Sequence, residues 1–399
     1  MSDRRFETAA VHAGATEDNL SGFRPVAEPL HLAVSYVADE MAMADAVFAG
    51  ERDGYVYGRY GNPTVRAFER AMADLERGED AIAFGSGMAA VHAALLGAGA
   101  WQGRTLVSAG DVYGATYALQ QSLLTEQGVR TVFVDSADRD QVEQALEREH
   151  PAALVCETIS NPLLKVADLG WLAEAAHAVG AALVVDHTFA TPYLARPLEL
   201  GADYVVHSAT KYIAGHDDVM AGVVVGSAER MDDLRQRQKL LGANCGPQQA
   251  WLALRGIRTL ALRMAQHCAN ASRVSEWLAQ HGPVASINYP GLPGHPQHDL
   301  AKRLFGARGF GGMISFELRG ADKLAVFRFM DALRLVQPAT TLGDVFSLVL
   351  YPAHSSHRAL PPETRRALGI SDGLVRMSVG IEHADDIIAD LERAMRGAV

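Results

Sequence analysis

The strongest constraint on this chain is an alternation of short apolar runs with amphipathic stretches that begins at Asp80 and continues past residue 200. The runs AIAF, TLVSAG, RTVFVD, ALVCET and ALVVD each lead into a helix-like stretch or a turn. Runs this short and this continuously apolar are strands buried on both faces. Parallel strands joined by helical crossovers bury them in that way. The fold class is therefore α/β, with a mainly parallel sheet and helices on both faces. Asp138 followed by Gln141 has the form of a capping box at the start of one of those helices. At 399 residues the chain is long for one core, and its texture changes after Gly256. LALRMAQHCANASRVSEWLAQHG reads as one long helix and GMISFEL as a strand. ADDIIADLERAM reads as a terminal helix with Ile387, Leu391 and Met395 on one face. The expected organisation is an extended N-terminal arm over 1–60, an α/β domain over 61–257 and a smaller α+β domain over 258–399.

The net charge of −11 argues against non-specific binding to nucleic acid or to an anionic membrane. No apolar run is long enough to span a bilayer, and MSDRRFETAAVHAG lacks a signal-peptide core. The three cysteines, Cys156, Cys245 and Cys268, are isolated and read as reduced thiols of a cytoplasmic protein. There are 15 histidines, yet neither His207, His216, Asp217 and Asp218 nor His354 and His357 have a recognised metal-ligand spacing, so no metal is expected.

In open α/β sheets, ligands bind beyond the carboxyl ends of the strands. Asp186 ends one apolar run, and Ser208, Thr210 and Lys211 follow the next. GSGMAA at 85–90 is a glycine-rich turn opening a helix, where free backbone N–H groups suit a phosphate. Its spacing is neither the dinucleotide fingerprint nor the P-loop. A phosphate cradle, a lysine able to form a Schiff base and a carboxylate able to keep a ring nitrogen protonated together suit pyridoxal 5'-phosphate (PLP). Tyr113, at a third strand end, could stack on the ring, although from the residues alone a tyrosine packed into the core is the favoured reading.

The chain resembles the PLP-dependent enzymes of cysteine and methionine metabolism, the trans-sulfuration family of cystathionine γ-synthases, cystathionine γ-lyases, methionine γ-lyases and O-acylhomoserine sulfhydrylases. The resemblance runs over nearly the whole length. It is carried by YGRYGNPT (57–64), GSGMAA (85–90), VYGATY (112–117), ETISNP (157–162), VDHTFATP (185–192), HSATKYIAGHDDVMAG (207–222), LRGIRTLALRM (254–264) and VRMSVGIEHADDIIADL (375–391). It implies a fold-type I, aspartate-aminotransferase-like large domain. It also implies a homotetramer, a dimer of dimers whose active sites are shared across each dimer. By the same resemblance, Lys211 is the Schiff-base lysine, Asp186 the ring-nitrogen partner, and Tyr113 a stacking and acid–base group. Gly87, Met88, Ser208 and Thr210 hold the phosphate, Tyr57 and Arg59 reach the phosphate of a neighbouring subunit, and Glu157 and Thr188 line the cofactor site. Asn161 contacts the ring hydroxyl and the substrate, beside Thr341, and Arg376 forks the substrate α-carboxylate.

Departures from the family pattern narrow the reaction. His187 stands where Asn is usual, and Asp217 where Gly or Ser is common. Phe346 stands where Glu is frequent, and Thr340 where enzymes handling cystathionine usually carry a glutamate. Ala115 replaces the cysteine usual in dedicated methionine γ-lyases, and RQKLLGAN lacks their Lys-Asp pair. The expected reaction is γ-elimination from a sulfur-containing amino acid, giving a thiol, ammonia and a 2-oxo acid. γ-Replacement, as in a sulfhydrylase or cystathionine γ-synthase, is the alternative, and β-elimination of cysteine or cystine a third. A non-catalytic cofactor-binding module would be expected to have lost at least one of Lys211, Asp186, Tyr113, Arg59 and Arg376, and all five are present.

Overall fold

A computed structural model describes residues 4–14, 23–358 and 361–396. The alternating runs become strands β1 (Asp80–Phe84), β2 (Thr105–Ala109), β3 (Arg130–Val134), β4 (Ala153–Glu157), β5 (Ala182–Asp186), β6 (Tyr204–His207) and β7 (Gly222–Gly226). They form one sheet in the order β1-β7-β6-β5-β4-β2-β3. From β6 to β3 every pairing is parallel, as a strand–helix alternation requires. The exception is β7, which runs antiparallel to both β1 and β6. Two apolar layers sandwich the sheet.

A second sheet follows, in the order β10-β11-β12-β9-β8, from β8 (Val284–Asn288), β9 (Met313–Leu318), β10 (Gln337–Pro338), β11 (Leu348–Leu350) and β12 (Leu374–Ser378). The long helix is Leu260–Ala279. Its first half, through Leu260 and Met264, packs into the core of the large sheet, and its second half, through Ala271, Val274 and Leu278, into that of the small sheet. The closing helix Ala384–Arg396 buries Ile387, Leu391 and Met395, as its 3.6-residue period requires.

Local signals acted with two adjustments. Asp138 caps the helix Arg139–Glu149 by accepting from Gln141 N at 3.1 Å. The Gln141 side chain accepts from Asp135 N rather than returning to Asp138, so the box is only half closed. The N-terminal stretch is not wholly irregular. Phe6–His12 is helical, with Phe6 1% exposed against Tyr193, because one aromatic and one alanine face find the large core. Residues 1–3 and 15–22 of the expected arm, and 359–360 and 397–399 of the expected C-terminal domain, lie outside the described residues.

Candidate active site

The carboxyl ends of β2, β4, β5 and β6 open onto a cavity of about 460 Å³. That is ample for a cofactor together with a small substrate. Gly87, Met88, Tyr113, Glu157, Asn161, Asp186, Thr188, Ser208, Thr210, Lys211 and Arg376 all line it.

Each group arrives by a traceable route. Ser86 caps the helix Gly87–Gly97 by accepting from Ala89 N at 3.1 Å, which turns the first amides of that helix toward the cavity. Gly87 is required by close approach, since a Cβ there would lie 2.7 Å from Ser208 Cβ and Oγ. Asp186 ends β5, and its Oδ1 accepts from Thr188 N (3.0 Å) and Thr188 Oγ1 (2.6 Å). The Thr188 hydroxyl in turn accepts from Ser208 N at 2.9 Å, which ties the acid to the loop after β6. Burial raises the Asp186 carboxyl, and the two Thr188 bonds oppose the rise.

Lys211 sits in the turn after β6, with its Nζ donating to Thr341 Oγ1 at 2.8 Å. Burial, then the Arg376 charge, lowers its amine below the ordinary lysine value, which favours the neutral nucleophilic form. The turn is pinned from behind by Arg263, which is 4% exposed. Its guanidinium donates to Tyr212 O (2.6 Å), Ile213 O (3.2 Å) and Gly256 O (2.8 Å). Arg263 lies within LRGIRTLALRM, but a buried arginine spent on carbonyls has no signature of its own in sequence.

Arg376 comes from β12 of the small sheet and is 3% exposed. Nη1 donates to Asn161 Oδ1 at 3.0 Å and Nη2 to Thr341 O at 3.3 Å, while Nε is buried without a protein partner. Burial pushes the guanidinium down to about 10. A buried cation with a spare donor is able to receive a carboxylate. Glu157 accepts from Tyr113 N at 2.6 Å and so sets the backbone that presents the tyrosine. Burial, with Asp186 beside it, raises Glu157 well above the carboxylate range.

The residues present fit PLP. The glycine-held cradle at Gly87 accepts a phosphate, Asp186 faces the cavity without a lysine or arginine bonded to it among the described residues, and Lys211 is close at hand. Thr210 has a local duty too, since its hydroxyl donates to Ala221 O (3.2 Å) and accepts from Ala221 N (3.0 Å). Gly87→Ala is expected to weaken PLP binding about ten- to a hundredfold by overpacking the cradle, read as the PLP dissociation constant by absorbance titration.

Tyr57 and Arg59, expected to reach the phosphate of a neighbouring subunit, do not line this chain's own cavity. The Arg59 guanidinium lies 4.9 Å from the Tyr60 ring and donates to Lys239 O, and Tyr57 is 40% exposed. Thr341 reaches the site through Lys211 and Arg376 rather than through the cavity wall. Thr340 lines the wall, but Phe346 is exposed outside it. Ser86, Ser355 and Ser356 line the cavity without having been singled out. The carbonyl of Ser356 would lie 1.9 Å from a Cβ at Gly114, so that glycine in VYGATY admits the serine turn.

Two departures now have physical accounts. Asp217 has φ 54°, in the left-handed region where glycine costs least, and its N–H donates to Asp344 Oδ1 at 2.9 Å. His187 is fully buried; its Nε2 lies 3.0 Å from the Ala195 carbonyl and therefore carries the proton, so Nδ1 accepts from the Thr158 hydroxyl at 2.6 Å. Burial holds His187, His267 and His357 down to about 4. Each stays neutral in the fold but binds a proton when unfolded below about 6.5, so the contribution of these three to stability rises with pH from about 4 to 6.5 and is lost below. His207 does not add to this, because its buried partner Glu76 is raised to about 7 and shifts proton uptake the opposite way. His187→Asn is expected to shrink the stability difference between pH 4.5 and pH 7 by on the order of 2 kcal/mol, measured by urea melts at both.

The model of the family Cys/Met metabolism PLP-dependent enzyme matches residues 7–396. An L-methionine gamma-lyase of Fusobacterium nucleatum subsp. polymorphum is 42% identical over 398 residues, covering 97% of both chains. An O-succinylhomoserine sulfhydrylase of Mycobacterium tuberculosis is 43% identical over 382 residues, covering 94% of this chain and 92% of that one. A crystal structure of cystathionine gamma synthase from Xanthomonas oryzae pv. oryzae, in complex with aminoacrylate and cysteine, superposes with a TM-score of 0.92 at 40% identity, covering 99% of this chain and 98% of that one.

Proposed function

We propose that this chain, which belongs to the family of Cys/Met metabolism PLP-dependent enzymes, is a carbon–sulfur γ-lyase that splits a sulfur-containing amino acid into a thiol, ammonia and a 2-oxo acid. The observation that carries this reading is Arg376. It is the one arginine among the described residues lining the cavity, and its buried Nε lacks a protein partner. It can clamp one α-carboxylate. A second amino acid acting as nucleophile would find no second arginine there, and Thr340 offers it a hydroxyl rather than a charge.

When bound, PLP supplies an electrophilic aldehyde and a cationic ring that takes up the electrons left at Cα. The remaining roles belong to the protein. Arg376 and Asn161 fix the substrate carboxylate. Lys211, a lowered amine steadied by Thr341, takes the proton from Cα and serves proton transfer at Cβ. Tyr113, on the backbone that Glu157 holds, donates a proton to the departing sulfur. Asp186 keeps the ring nitrogen protonated, while Gly87, Met88, Ser208 and Thr210 receive the phosphate.

Replacement by sulfide or a small thiol uses the same groups and needs no second clamp, and a sulfhydrylase stands among the relatives at 43% identity. Product analysis separates the two: a γ-lyase releases thiol and 2-oxo acid in equal amounts from one amino acid with no second thiol added.

The domain boundary is proposed at 257/258, just ahead of the helix that joins both cores. A homotetramer is proposed in which Tyr57 and Arg59 serve the partner's site. The apolar exposure of the arm supports it, with Phe23 79%, Val37 98% and Met41 82% exposed. A cytoplasmic location is proposed, in keeping with three buried, unpaired cysteines.

A further inference from the structure

A second chamber, of about 290 Å³, lies beside the active-site cavity, between the helix Lys323–Ala332, β10–β11 and the turn Pro352–His354. The two share Thr340, Leu350 and Ser355 as walls. The rest of its lining is mainly apolar, with Phe327, Met330, Val349 and Tyr351, and the His354 ring lies 5.2 Å from that of Phe327. No lysine or arginine is among its described lining residues, and the exposed Asp331 adds a negative charge at one side. No lysine or arginine there pairs with a carboxylate, and Asp331 repels one.

The position relative to the chemistry decides the use. Lys211 Nζ and Arg376 Nη2 both bond Thr341, so the reacting carbons lie beside that residue. Thr340, next in the chain, stands in the walls of both spaces. A group projecting from the γ position past Thr340 would point toward the chamber. An enclosed cavity of roughly 150 Å³ holds benzene, so this half-open space of about 290 Å³ has room for an aryl ring or a butyl chain.

We infer that this chamber receives the substituent on the departing sulfur, so that the enzyme favours thioether amino acids with a bulky, uncharged, apolar S-substituent over methionine. The inference rests on the γ-lyase reading. The reaction balances without an oxidant or reductant. The Cγ–S bond breaks, the sulfur leaves with its electron pair and gains a proton, and one water completes the conversion to RSH, 2-oxobutanoate and ammonium.

The test uses the holoenzyme with S-methyl-, S-butyl- and S-benzyl-L-homocysteine, assayed for 2-oxobutanoate. The expected result is a kcat/KM for the butyl and benzyl compounds at least about tenfold above that for methionine, from the burial of added apolar groups. Met330→Trp and Ala339→Phe, which fill only the chamber, should erase that gain and leave methionine within about twofold. Both positions are partly exposed, so neither change overpacks a closed core. Benzyl methyl sulfide, which needs no turnover, should bind the holoenzyme and lose at least about tenfold affinity in Met330→Trp by calorimetry. If methionine is cleaved but kcat/KM is flat or falls along the series, or if the probe's affinity ignores both variants, the inference is overturned and the lyase reading stands. If no compound yields thiol, the lyase reading fails and the inference falls with it.

Discussion

Lys211→Ala is expected to lower kcat by at least about a thousandfold and to abolish covalent retention of PLP after borohydride reduction. The change removes the base and the nucleophile at once, and positioned proton transfer alone is worth roughly 10²- to 10⁴-fold. The amine is lowered by burial and by Arg376, so a larger fraction is neutral at a given pH than for a solvated lysine. Mass spectrometry of reduced, digested protein checks the anchor: the wild-type peptide containing Lys211 gains the pyridoxyl phosphate mass and the variant peptide does not. The fold should survive, because the turn is held by Arg263 and by backbone bonds such as Gly215 N to Lys211 O at 2.8 Å. A melting temperature within a few degrees of wild type is the control.

Arg376→Ala is expected to lower kcat/KM by about 10²- to 10³-fold, mostly through KM. Truncating one partner of a buried, hydrogen-bonded charge pair costs about 2–5 kcal/mol in binding. Arg376→Lys should recover less than tenfold of that, since a point charge cannot reproduce a planar fork already spread over Asn161 and Thr341. Without substrate the same guanidinium is a buried cation with an idle Nε, pushed down to about 10. Stability measured without substrate should therefore hold or rise in Arg376→Leu while activity collapses. A parallel loss of stability and activity would assign Arg376 a structural role instead.

These two residues differ in how openly the sequence declares them. Lys211 follows an apolar strand run with Ser208 and Thr210 beside it, and strand ends are where α/β sheets place ligands. Asp186 is legible for the same reason. Arg376 alone is an arginine within a strand; only the long motif around it marks it out, because its partners Asn161 and Thr341 come from distant parts of the chain. The sheet order is hidden for a similar reason. Local alternation shows that parallel strands exist, but the insertion of β7 between β1 and β6 is a long-range choice. The pinning of the lysine turn by Arg263, the serine turn admitted by Gly114 and the half-closed cap at Asp138 are equally contact-dependent. The helix Phe6–His12 is hard to read because it has only 7 residues and Gly14 follows it closely, and burial rather than propensity holds it.

The most direct measurement is product identity from the purified holoenzyme, offered methionine, homocysteine, cystathionine, cysteine and O-acetyl- or O-succinylhomoserine, each with and without sulfide. Release of 2-oxobutanoate, ammonia and thiol from a sulfur amino acid without sulfide is the predicted result. Homocysteine formed only from an O-acylhomoserine plus sulfide, with no 2-oxobutanoate from any sulfur amino acid, would contradict the lyase account and make the enzyme a transferase.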